Sequence, residues 1–266
     1  MTDRLFEVKE QVVLVSGGSR GIGRAIAAGF AVRGASVVVS GRKQKTLSSV
    51  ASQLSELGSP VQGMVCDVAE PEQIESLVES VLQDYGRIDT LVNVAGVNRR
   101  KPALDVSVED FDFVMDINLR GAFLMSQAVG RHMIERARGS QINIASLNSD
   151  RPLKDVAPYA MSKAAMAHMT RSLALEWGPL GVRVNALAPG FILTDLTRQL
   201  WSDETMQQWG NANTPQRRLG KPEDMIGTAI FLASPAAEFM TGQVLYVDGG
   251  FTSGSAWPIP PGGGQD

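Results

Sequence analysis

The sequence predicts an α/β fold: a single doubly wound Rossmann-type domain in which about seven parallel strands form one sheet with helices on both faces. Three observations carry this prediction. Short β-branched runs alternate with longer amphipathic segments. The runs are apolar throughout, which is typical of strands that are buried on both faces of a parallel sheet. The segments between them tend to end in glycine, which accepts the left-handed backbone that stops a helix.

The elements follow in a regular order. Seven segments are predicted as strands: 12–15, 37–39, 61–65, 90–93, 142–144, 182–186 and 244–247. The intervening helices are expected to end at Gly34, Gly58, Gly86, Gly139 and Gly181. Pro71 suits the first turn of a helix, Ser107 suits a helix cap, and helices are expected over 110–136 and 158–177. No composition shift or internal repeat divides residues 1–266, so one domain is expected.

Bulk composition excludes several classes of function. The chain has 266 residues, a net charge of −3 and no basic cluster that could track a nucleic-acid backbone. One cysteine, Cys66, excludes an intramolecular disulfide, and two histidines without Cys/His spacing argue against a zinc site. No apolar run reaches the roughly 20 residues that span a bilayer. The first ten residues do not resemble a signal peptide. We therefore expect a cytoplasmic protein that binds neither nucleic acid nor membrane.

A glycine-rich loop joins the first strand to the first helix. Glycines let the backbone approach a pyrophosphate, and the helix N-terminus offers unpaired N–H groups. The spacing is G-x-x-x-G-x-G rather than G-x-G-x-x-G. An isolated glycine cluster would favour a tight turn, but this position after the first strand favours dinucleotide binding. The expected contacts are Ser16, Gly17, Ser19, Arg20, Gly21, Ile22 and Gly23.

The end of the second strand bears on the choice of cofactor. An acidic residue there would accept hydrogen bonds from the ribose hydroxyls of NAD, but the chain has Ser40 and Arg42. Together with Arg20, these side chains suit a 2′-phosphate, so NADP(H) is expected in preference to NAD(H). The alternative is that Arg42 and Lys43 only begin a solvated helix.

Other cofactor contacts are expected where further strands end. Asp67 could accept from the adenine amino group, or it could cap a helix. Small residues after the fourth strand would let the cofactor pass close to the backbone. The remaining candidates are Val68, Asn93, Ala95, Gly96, Tyr159, Lys163, Pro189, Gly190, Ile192 and Thr194.

Three side chains suggest chemistry at the same edge of the sheet. Tyr159 and Lys163 are four residues apart in a predicted helix, which places them one turn apart on one face. Ser146 follows the fifth strand. A phenol, an ammonium and a hydroxyl form a proton-transfer site for a carbonyl or an alcohol. With the nucleotide loop, they predict hydride transfer.

These residues match a family pattern. The chain resembles the short-chain dehydrogenase/reductase family over nearly its whole length, and the shared elements are Ser16–Gly23, Asp67, Asn93–Gly96, Asn118, Ser146, Tyr159-x-x-x-Lys163, Pro189-Gly190 and Thr194. Two positions depart from the pattern: Ser16 replaces a threonine and Val94 replaces an asparagine. Within the family, the chain is most similar to the gluconate 5-dehydrogenase group, on Asn98-Arg99-Arg100, Gly41-Arg42 and Leu175-Glu176-Trp177-Gly178.

The resemblance implies roles for these residues. Tyr159 would exchange a proton with the substrate oxygen, and Ser146 would donate a hydrogen bond to that oxygen. Lys163 would favour the tyrosinate and hold the nicotinamide ribose. Asn118 would bind a water that relays protons to Lys163. The resemblance also implies a homotetramer.

Substrate contacts are expected on loops beyond the carboxyl ends of the strands. Arg99, Arg100, Arg151 and Lys154 are candidates for a substrate carboxylate, and an arginine could hold one with two parallel bonds. The alternative is that some of them are surface charges or interface partners. Asn148 could contact sugar hydroxyls. Residues 191–215 are interpreted as a mobile lid, and 252–266 as a Pro/Gly-rich tail.

The sequence therefore predicts an NADP(H)-dependent oxidoreductase that interconverts a secondary alcohol and a ketone, with a sugar acid of the gluconate/5-ketogluconate type as substrate. One alternative is reduction of 3-oxoacyl thioesters on a carrier protein. Another is a cofactor-binding sensor without turnover, which would need the glycine loop but not the serine, tyrosine and lysine.

Overall fold

The computed structural model describes residues 4–254, which contain one sheet of seven strands flanked by helices. The strands are β1 (Val12–Ser16), β2 (Ser36–Gly41), β3 (Val61–Val65), β4 (Thr90–Asn93), β5 (Gly139–Ile144), β6 (Val182–Pro189) and β7 (Val244–Val247). The α-helices are α1 (Gly21–Val32), α2 (Gln44–Ser55), α3 (Pro71–Tyr85), α4 (Val108–Met115), α5 (Gly121–Glu135), α6 (Ala157–Trp177), α7 (Glu204–Asn213) and α8 (Ile226–Ala233).

All the strand pairs are parallel, and the strand order is β3-β2-β1-β4-β5-β6-β7. The chain therefore builds the sheet outward from β1 in one direction and then returns to build it in the other. This confirms the predicted fold class. The reversal between β1 and β4 opens a crevice at the carboxyl ends of the strands, where sheets of this kind bind ligands.

Strand β1 is buried on both faces because each face packs against helices. Val13 and Val15 of β1 belong to one hydrophobic core, whereas Val12 and Leu14 belong to the other. The first core includes residues of α1, α2 and α8, and the second includes residues of α3, α5 and α6. This two-sided burial explains why the strands read as continuous apolar runs.

The predicted helix boundaries are correct in part. Gly34, Gly86 and Gly181 have φ values of +86°, +72° and +81°, as expected for residues that stop helices. The prediction is wrong for Gly58 and Gly139, neither of which has a positive φ. Both are instead packed so closely against neighbouring atoms that a Cβ would not fit, and the residue with positive φ before β5 is Ala137.

Two predicted helix starts are confirmed. Pro71 is the first residue of α3. The Ser107 hydroxyl caps α4 by accepting a hydrogen bond from the Asp110 N–H at 3.2 Å. By contrast, the helix expected over 110–136 is interrupted by a π-helical turn at Asp116–Arg120. Such a turn inserts one extra residue without leaving a mark in the apolar pattern.

Within residues 4–254, no helix combines the length and the apolarity that crossing a bilayer requires. Most of the expected C-terminal tail, residues 255–266, lies outside the described residues. Its first part is visible as a short 3₁₀ turn at Phe251–Ser253.

Candidate active site

A cleft of about 490 Å³ lies along the carboxyl ends of the strands. Its lining contains the glycine loop after β1 and, at the other end, Ser146, Tyr159 and Lys163. The structure thus brings together the two groups of residues that the sequence singles out separately. The other predicted residues in the lining are Gly17, Ser19, Arg20, Gly21, Ile22, Arg42, Asp67, Val68, Ala95, Gly96, Pro189, Gly190, Ile192 and Thr194.

The glycine loop has a conformation that only glycine permits. Gly17 has a φ of +83°, and a Cβ at this position would lie 2.6 Å from the Ala95 nitrogen. The loop therefore packs directly on the turn that follows β4. The first turn of α1 has neither a side-chain cap nor an acidic residue. Its N–H groups and positive dipole end are suited to a phosphate group, so the loop fits a dinucleotide.

One end of the cleft is rich in cations that have no acidic partner. Arg20, Arg42 and Lys43 are exposed and line this end. Within residues 4–254, their side chains form no ion pair and no hydrogen bond. Ser19 and Thr46 add hydroxyl groups to the same lining. The arrangement is suited to an anionic group such as a phosphate.

Four predicted cofactor residues do not line the cleft: Ser16, Gly23, Ser40 and Asn93. In the sheet register, Ser16 lies between Ser40 and Asn93, and Asn93 lies beside Asn143. Side chains that are neighbours in register point to the same face of a sheet. The side chains of this row therefore lie under the helices that cover one face, and not at the edge of the sheet where the cleft lies. Gly23 packs against the backbone of Gly17.

The buried row has a structural role. The Asn93 amide nitrogen donates to the Ser126 hydroxyl at 2.9 Å and to the Asn143 side-chain oxygen at 3.0 Å. Asn143 in turn donates to Thr170 of α6 at 2.9 Å. The Ser16 and Ser40 carbonyls accept hydrogen bonds from the loops that form the cleft, whereas the Ser40 hydroxyl has no partner in the described structure.

Asp67 lines the cleft but does not cap a helix. Its carboxylate accepts a hydrogen bond from the Ala69 N–H at 3.1 Å, and the N-cap of α3 is Glu70. The capping alternative is therefore wrong, because the side chain closes a short turn of the loop instead.

The other end of the cleft holds Tyr159 and Lys163 of α6, of which Lys163 is buried. Burial raises the pKa of the Tyr159 phenol above its usual value, while a hydrogen bond with Ser146 and the positive charge of Arg100 lower it less strongly. Burial lowers the pKa of Lys163 to about 8. The Lys163 ammonium nitrogen lies 5.8 Å from the centre of the Tyr159 ring and donates to the Ile144 carbonyl at 2.6 Å.

Asn148 fixes Ser146 rather than reaching the cleft. The Ser146 hydroxyl accepts hydrogen bonds from the backbone and side-chain nitrogens of Asn148, at 3.1 and 3.4 Å. The Asn148 side-chain oxygen accepts from the Leu153 N–H at 3.0 Å. Asn148 is buried and absent from the lining, so its expected contact with sugar hydroxyls does not match its position.

Asn118 lies in the π-helical turn, and its polar atoms are already bonded. Its side-chain oxygen accepts from the Val97 N–H at 2.8 Å, and its nitrogen donates to the Val97 carbonyl at 2.9 Å and to Ser162 at 3.1 Å. A Cβ on Gly96 would lie 3.4 Å from the Asn118 oxygen and 3.7 Å from the Lys163 nitrogen. Asn118 is thus close to Lys163 while it clamps the segment after β4.

The three candidate arginines differ in what they contact. Arg99 donates to Asp110 at 2.7 Å and lies 3.8 Å from the centre of the Phe113 ring. Arg151 pairs with Asp150 at 3.4 Å. Arg100 is exposed and forms no ion pair or hydrogen bond of its side chain within residues 4–254. None of the three lines the cleft, but the charge of Arg100 acts on Tyr159.

The segment 191–215 has a small core of its own. Phe191 packs edge-on against Trp201, Trp209 and Phe251, with ring centres 5.3, 5.5 and 4.8 Å away. Trp201 is buried, so its role is packing. The start of the segment lines the cleft through five residues: Ile192, Thr194, Asp195, Leu196 and Thr197.

Sequence reasoning missed part of the lining. Thr46, Val97, Ile117, Ile144 and Thr197 all face the cleft. A signal was present for one of them: Thr197 lies in the segment 191–215, which the sequence indicates as a lid. Val97, Ile117 and Ile144 are apolar, and nothing in their sequence context separates them from core residues.

Comparison with known proteins decides the family. A family model described as "Enoyl-(Acyl carrier protein) reductase" matches residues 17–252. The chain belongs to the short-chain dehydrogenase/reductase family. As a member of this family it is an oxidoreductase that acts on hydroxyl or ketone groups with a nicotinamide cofactor.

Three relatives illustrate its place in the family. The chain is 40% identical to a gluconate 5-dehydrogenase of Gluconobacter oxydans, over 93% of this chain and 97% of that protein. It is 35% identical to a 5-keto-D-gluconate 5-reductase of Escherichia coli, over 92% and 97%. The structure of a gluconate 5-dehydrogenase from Burkholderia cenocepacia, in complex with NADP and tartrate, superimposes with a TM-score of 0.91 at 38% identity, covering 94% of this chain and 98% of that one.

Proposed function

We propose that the protein is an NADP(H)-dependent oxidoreductase that interconverts a secondary alcohol and a ketone on a sugar acid of the gluconate/5-ketogluconate type. The observation that carries the proposal is a single cleft with unpaired cations around its glycine-loop end and Ser146, Tyr159 and Lys163 at its other end. The names of the relatives in Gluconobacter oxydans and Escherichia coli support the substrate class.

The cofactor would lie along the cleft from the glycine loop to α6. Gly17, Gly21 and the first turn of α1 would hold the pyrophosphate, and Arg20, Arg42 and Lys43 would hold a 2′-phosphate. No carboxylate follows β2, so the ribose hydroxyls of NAD would lack their usual acceptor. We therefore propose a preference for NADP(H). When bound, the cofactor supplies or accepts the hydride.

Tyr159 moves the proton in this proposal. In the direction of reduction its phenol gives a proton to the substrate oxygen, and in oxidation it takes the proton back. A free phenol has a pKa near 10, and burial raises that of Tyr159, so an isolated tyrosine here would be a poor base. A neighbouring positive charge favours the phenolate. Lys163 supplies that charge when protonated.

Ser146 and Asn118 complete the site. The Ser146 hydroxyl accepts from Asn148 and is hydrogen-bonded to Tyr159, and on substrate binding its proton would turn to the substrate oxygen and stabilise developing charge. Asn118 holds the segment after β4 beside Lys163. A water-mediated proton path from Lys163 past Asn118 remains part of the proposal.

Arg100 is the proposed contact for the substrate carboxylate. Of the three candidate arginines, Arg99 and Arg151 are already paired with aspartates. Arg100 is unpaired within residues 4–254, and its charge reaches the Tyr159 phenol. The segment 191–215 would close over the substrate as a lid, because its first residues already line the cleft.

The test is oxidation of NADPH and NADH with three kinds of substrate: 5-ketogluconate, neutral keto sugars and an acetoacetyl thioester. We expect turnover of 5-ketogluconate with NADPH at the highest kcat/KM. A higher kcat/KM for the thioester would replace the proposed substrate class with the carrier-protein alternative. Cofactor binding without turnover of any ketone would support the sensor alternative.

We also propose a homotetramer in the cytoplasm. Leu104, Phe123, Met161 and Leu175 are exposed on the α4–α6 side, with exposed fractions of 99%, 40%, 48% and 79%. Met166 and Leu173 of α6 are buried within the subunit and are not available for such contacts. The lone cysteine, Cys66, is buried and unpaired, which suits a reducing compartment. Light scattering tests the assembly, and a monomeric mass would contradict it.

A further inference from the structure

The segment 97–101, which follows β4, carries three consecutive basic residues at the rim of the cleft. It has neither helix nor strand structure. Arg99, Arg100 and Lys101 repel one another, and long basic side chains on a loop are costly to immobilise. A contact from outside the segment is therefore needed to hold these side chains in place.

The carboxylate of Asp110 provides that contact. One oxygen of its carboxylate accepts from Arg99 at 2.7 Å, and the other accepts from Lys101. The carboxylate is 9% exposed, whereas the two cations are 40% and 44% exposed. A mostly buried carboxylate shared by two cations is a stronger tie than an exposed ion pair. The helix cap formed by Ser107 at the start of α4 fixes the position of Asp110.

The same segment is held at its other points. Both backbone groups of Val97 are bonded to Asn118. The Arg99 guanidinium lies over the Phe113 ring of α4. The Lys101 N–H donates to the Asp155 carbonyl at 3.0 Å, which joins the segment to the loop before α6. The backbone on both sides of Arg100 is thus fixed to elements that also shape the catalytic end.

The segment is neither helical nor part of a strand, and Arg99 and Lys101 stand on either side of Arg100 in the chain. Arg99 and Lys101 both pair with Asp110, whereas the Arg100 side chain forms no ion pair within residues 4–254. Val97, at the start of the same segment, lines the cleft, and the charge of Arg100 acts on the Tyr159 phenol. We propose that Asp110 is a positioning residue: it holds Arg99 and Lys101 on one side of the segment and so presents Arg100 to the carboxylate of the substrate.

This inference rests on the proposed function, because it needs a substrate with a carboxylate. It gives the two arginines different roles: Arg100 binds the substrate carboxylate, and Arg99 anchors the segment to Asp110. It also predicts that Asp110, which does not line the cleft, affects the KM for acidic substrates and has little effect on kcat.

A double-mutant cycle tests the inference, with Arg100→Gln, Asp110→Asn and their combination. The loss of a charged hydrogen-bond partner predicts a rise of about 10- to 100-fold in the KM for 5-ketogluconate in Arg100→Gln. The loss of positioning alone predicts a rise of about 3- to 10-fold in Asp110→Asn, with kcat within about twofold. In the Arg100→Gln background, Asp110→Asn should add nothing.

Matched controls separate positioning from folding. Asp112→Asn removes a charge from the same helix at an exposed side chain that has no partner in residues 4–254, and should leave the KM unchanged. Lys101→Gln removes one exposed partner of Asp110 and should change the KM in the same direction as Asp110→Asn, which keeps the test valid if Asp110→Asn folds poorly. The NADPH dissociation constant and the melting temperature should stay near those of the unmodified protein in Lys101→Gln.

Inhibition gives a second readout. Tartrate should inhibit Arg100→Gln and Lys101→Gln more weakly than the unmodified protein. Threitol has hydroxymethyl groups in place of the tartrate carboxylates, so its effect should not change. Two results would overturn this inference but not the proposed function. One is an equal effect of Asp110→Asn with and without Arg100. The other is an unchanged KM in both Lys101→Gln and Asp110→Asn. If the unmodified protein turned over neutral ketones but no sugar acid, the proposed substrate class would fail, and this inference with it.

Discussion

The two ends of the cleft are built in different ways. At the glycine-loop end, backbone groups and exposed, unpaired cations make the surface, and Gly17 is required because no side chain fits beside Ala95. At the α6 end, buried side chains make the surface, and Ser146, Lys163 and Asn118 each have hydrogen-bond partners in the structure. The glycine-loop end is suited to any ligand whose phosphate groups match the positions of these N–H groups and cations. The α6 end depends on the ionisation of particular side chains.

This difference teaches where mutations should act. A substitution at the cation-rich end should change cofactor affinity and leave the chemistry intact. Loss of the Tyr159 hydroxyl at the α6 end should change the chemistry and leave cofactor affinity nearly intact. The predictions below test this division between effects on cofactor affinity and effects on the chemistry.

The largest effect is expected from Tyr159→Phe. Removal of the phenol hydroxyl removes the proton donor, and general acid–base catalysis contributes about 10²–10⁴-fold. We expect kcat for 5-ketogluconate reduction to fall by about that factor, while NADPH binding, measured by calorimetry, stays within about twofold because α6 packs unchanged. Retained turnover would show that another group moves the proton.

The second effect concerns Lys163 and pH. Because burial lowers the pKa of the Lys163 ammonium from 10.5 to about 8, the unfolded chain binds a proton between these values that the folded protein does not. The stability that this group contributes therefore rises with pH across that window, by about 3 kcal/mol in total at 1.36 kcal/mol per pH unit.

Urea unfolding of the cofactor-free protein and of Lys163→Met at several pH values measures this. We expect the variant to gain most relative to the unmodified protein below pH 8, where the buried charge is least favourable. The difference should shrink as the pH rises toward 10.5. A difference that does not vary with pH would mean that Lys163 is not desolvated in the folded protein.

The third effect is structural. Asn93→Ala removes the donor to Ser126 and Asn143 in the buried row. The acceptors left without a partner should lower the free energy of unfolding by about 1–3 kcal/mol. The NADPH dissociation constant should not change, since Asn93 does not line the cleft. A loss of cofactor affinity with unchanged stability would mean that Asn93 contacts the cofactor, as the sequence predicts.

The smallest effect is expected at the cation-rich end. Arg42→Ala removes one of three cations proposed to hold the 2′-phosphate, so NADPH affinity should fall about tenfold, the equivalent of about 1.4 kcal/mol. NADH affinity should stay within about twofold. Arg24→Ala is the matched control, because Arg24 is exposed on α1 and bonded to Gln53 rather than lining the cleft. Equal losses for both cofactors would contradict a 2′-phosphate site.

Much of the fold was predictable because burial on both faces of a parallel sheet leaves a simple trace. All seven predicted strands occur in the structure, and Val61–Val65, Thr90–Asn93 and Val244–Val247 match at both ends. The glycine loop and the Tyr159–Lys163 pair were also predictable, because each depends on local spacing along one element.

Other features of the site have physical causes that residue spacing does not encode. The face of the sheet to which Ser40, Ser16 and Asn93 point depends on the register in which the strands pair. A shift of one residue in that register would turn the side chains to the opposite face. The choice of Asp110 as the partner of Arg99 depends on how α4 folds back on the segment after β4. The packing of Phe191 against Phe251 depends on contacts between distant parts of the chain.

The most direct test is titration of the Tyr159 phenol itself. The near-ultraviolet absorbance of tyrosinate, taken as the difference between the unmodified protein and Tyr159→Phe, gives the pKa of this phenol with and without NADP⁺. We expect NADP⁺ to lower that pKa, because its positively charged ring would lie beside the phenol at the α6 end of the cleft. If saturating NADP⁺ left the pKa unchanged, the phenol and the redox ring would not share one site, and the proposed chemistry would be wrong.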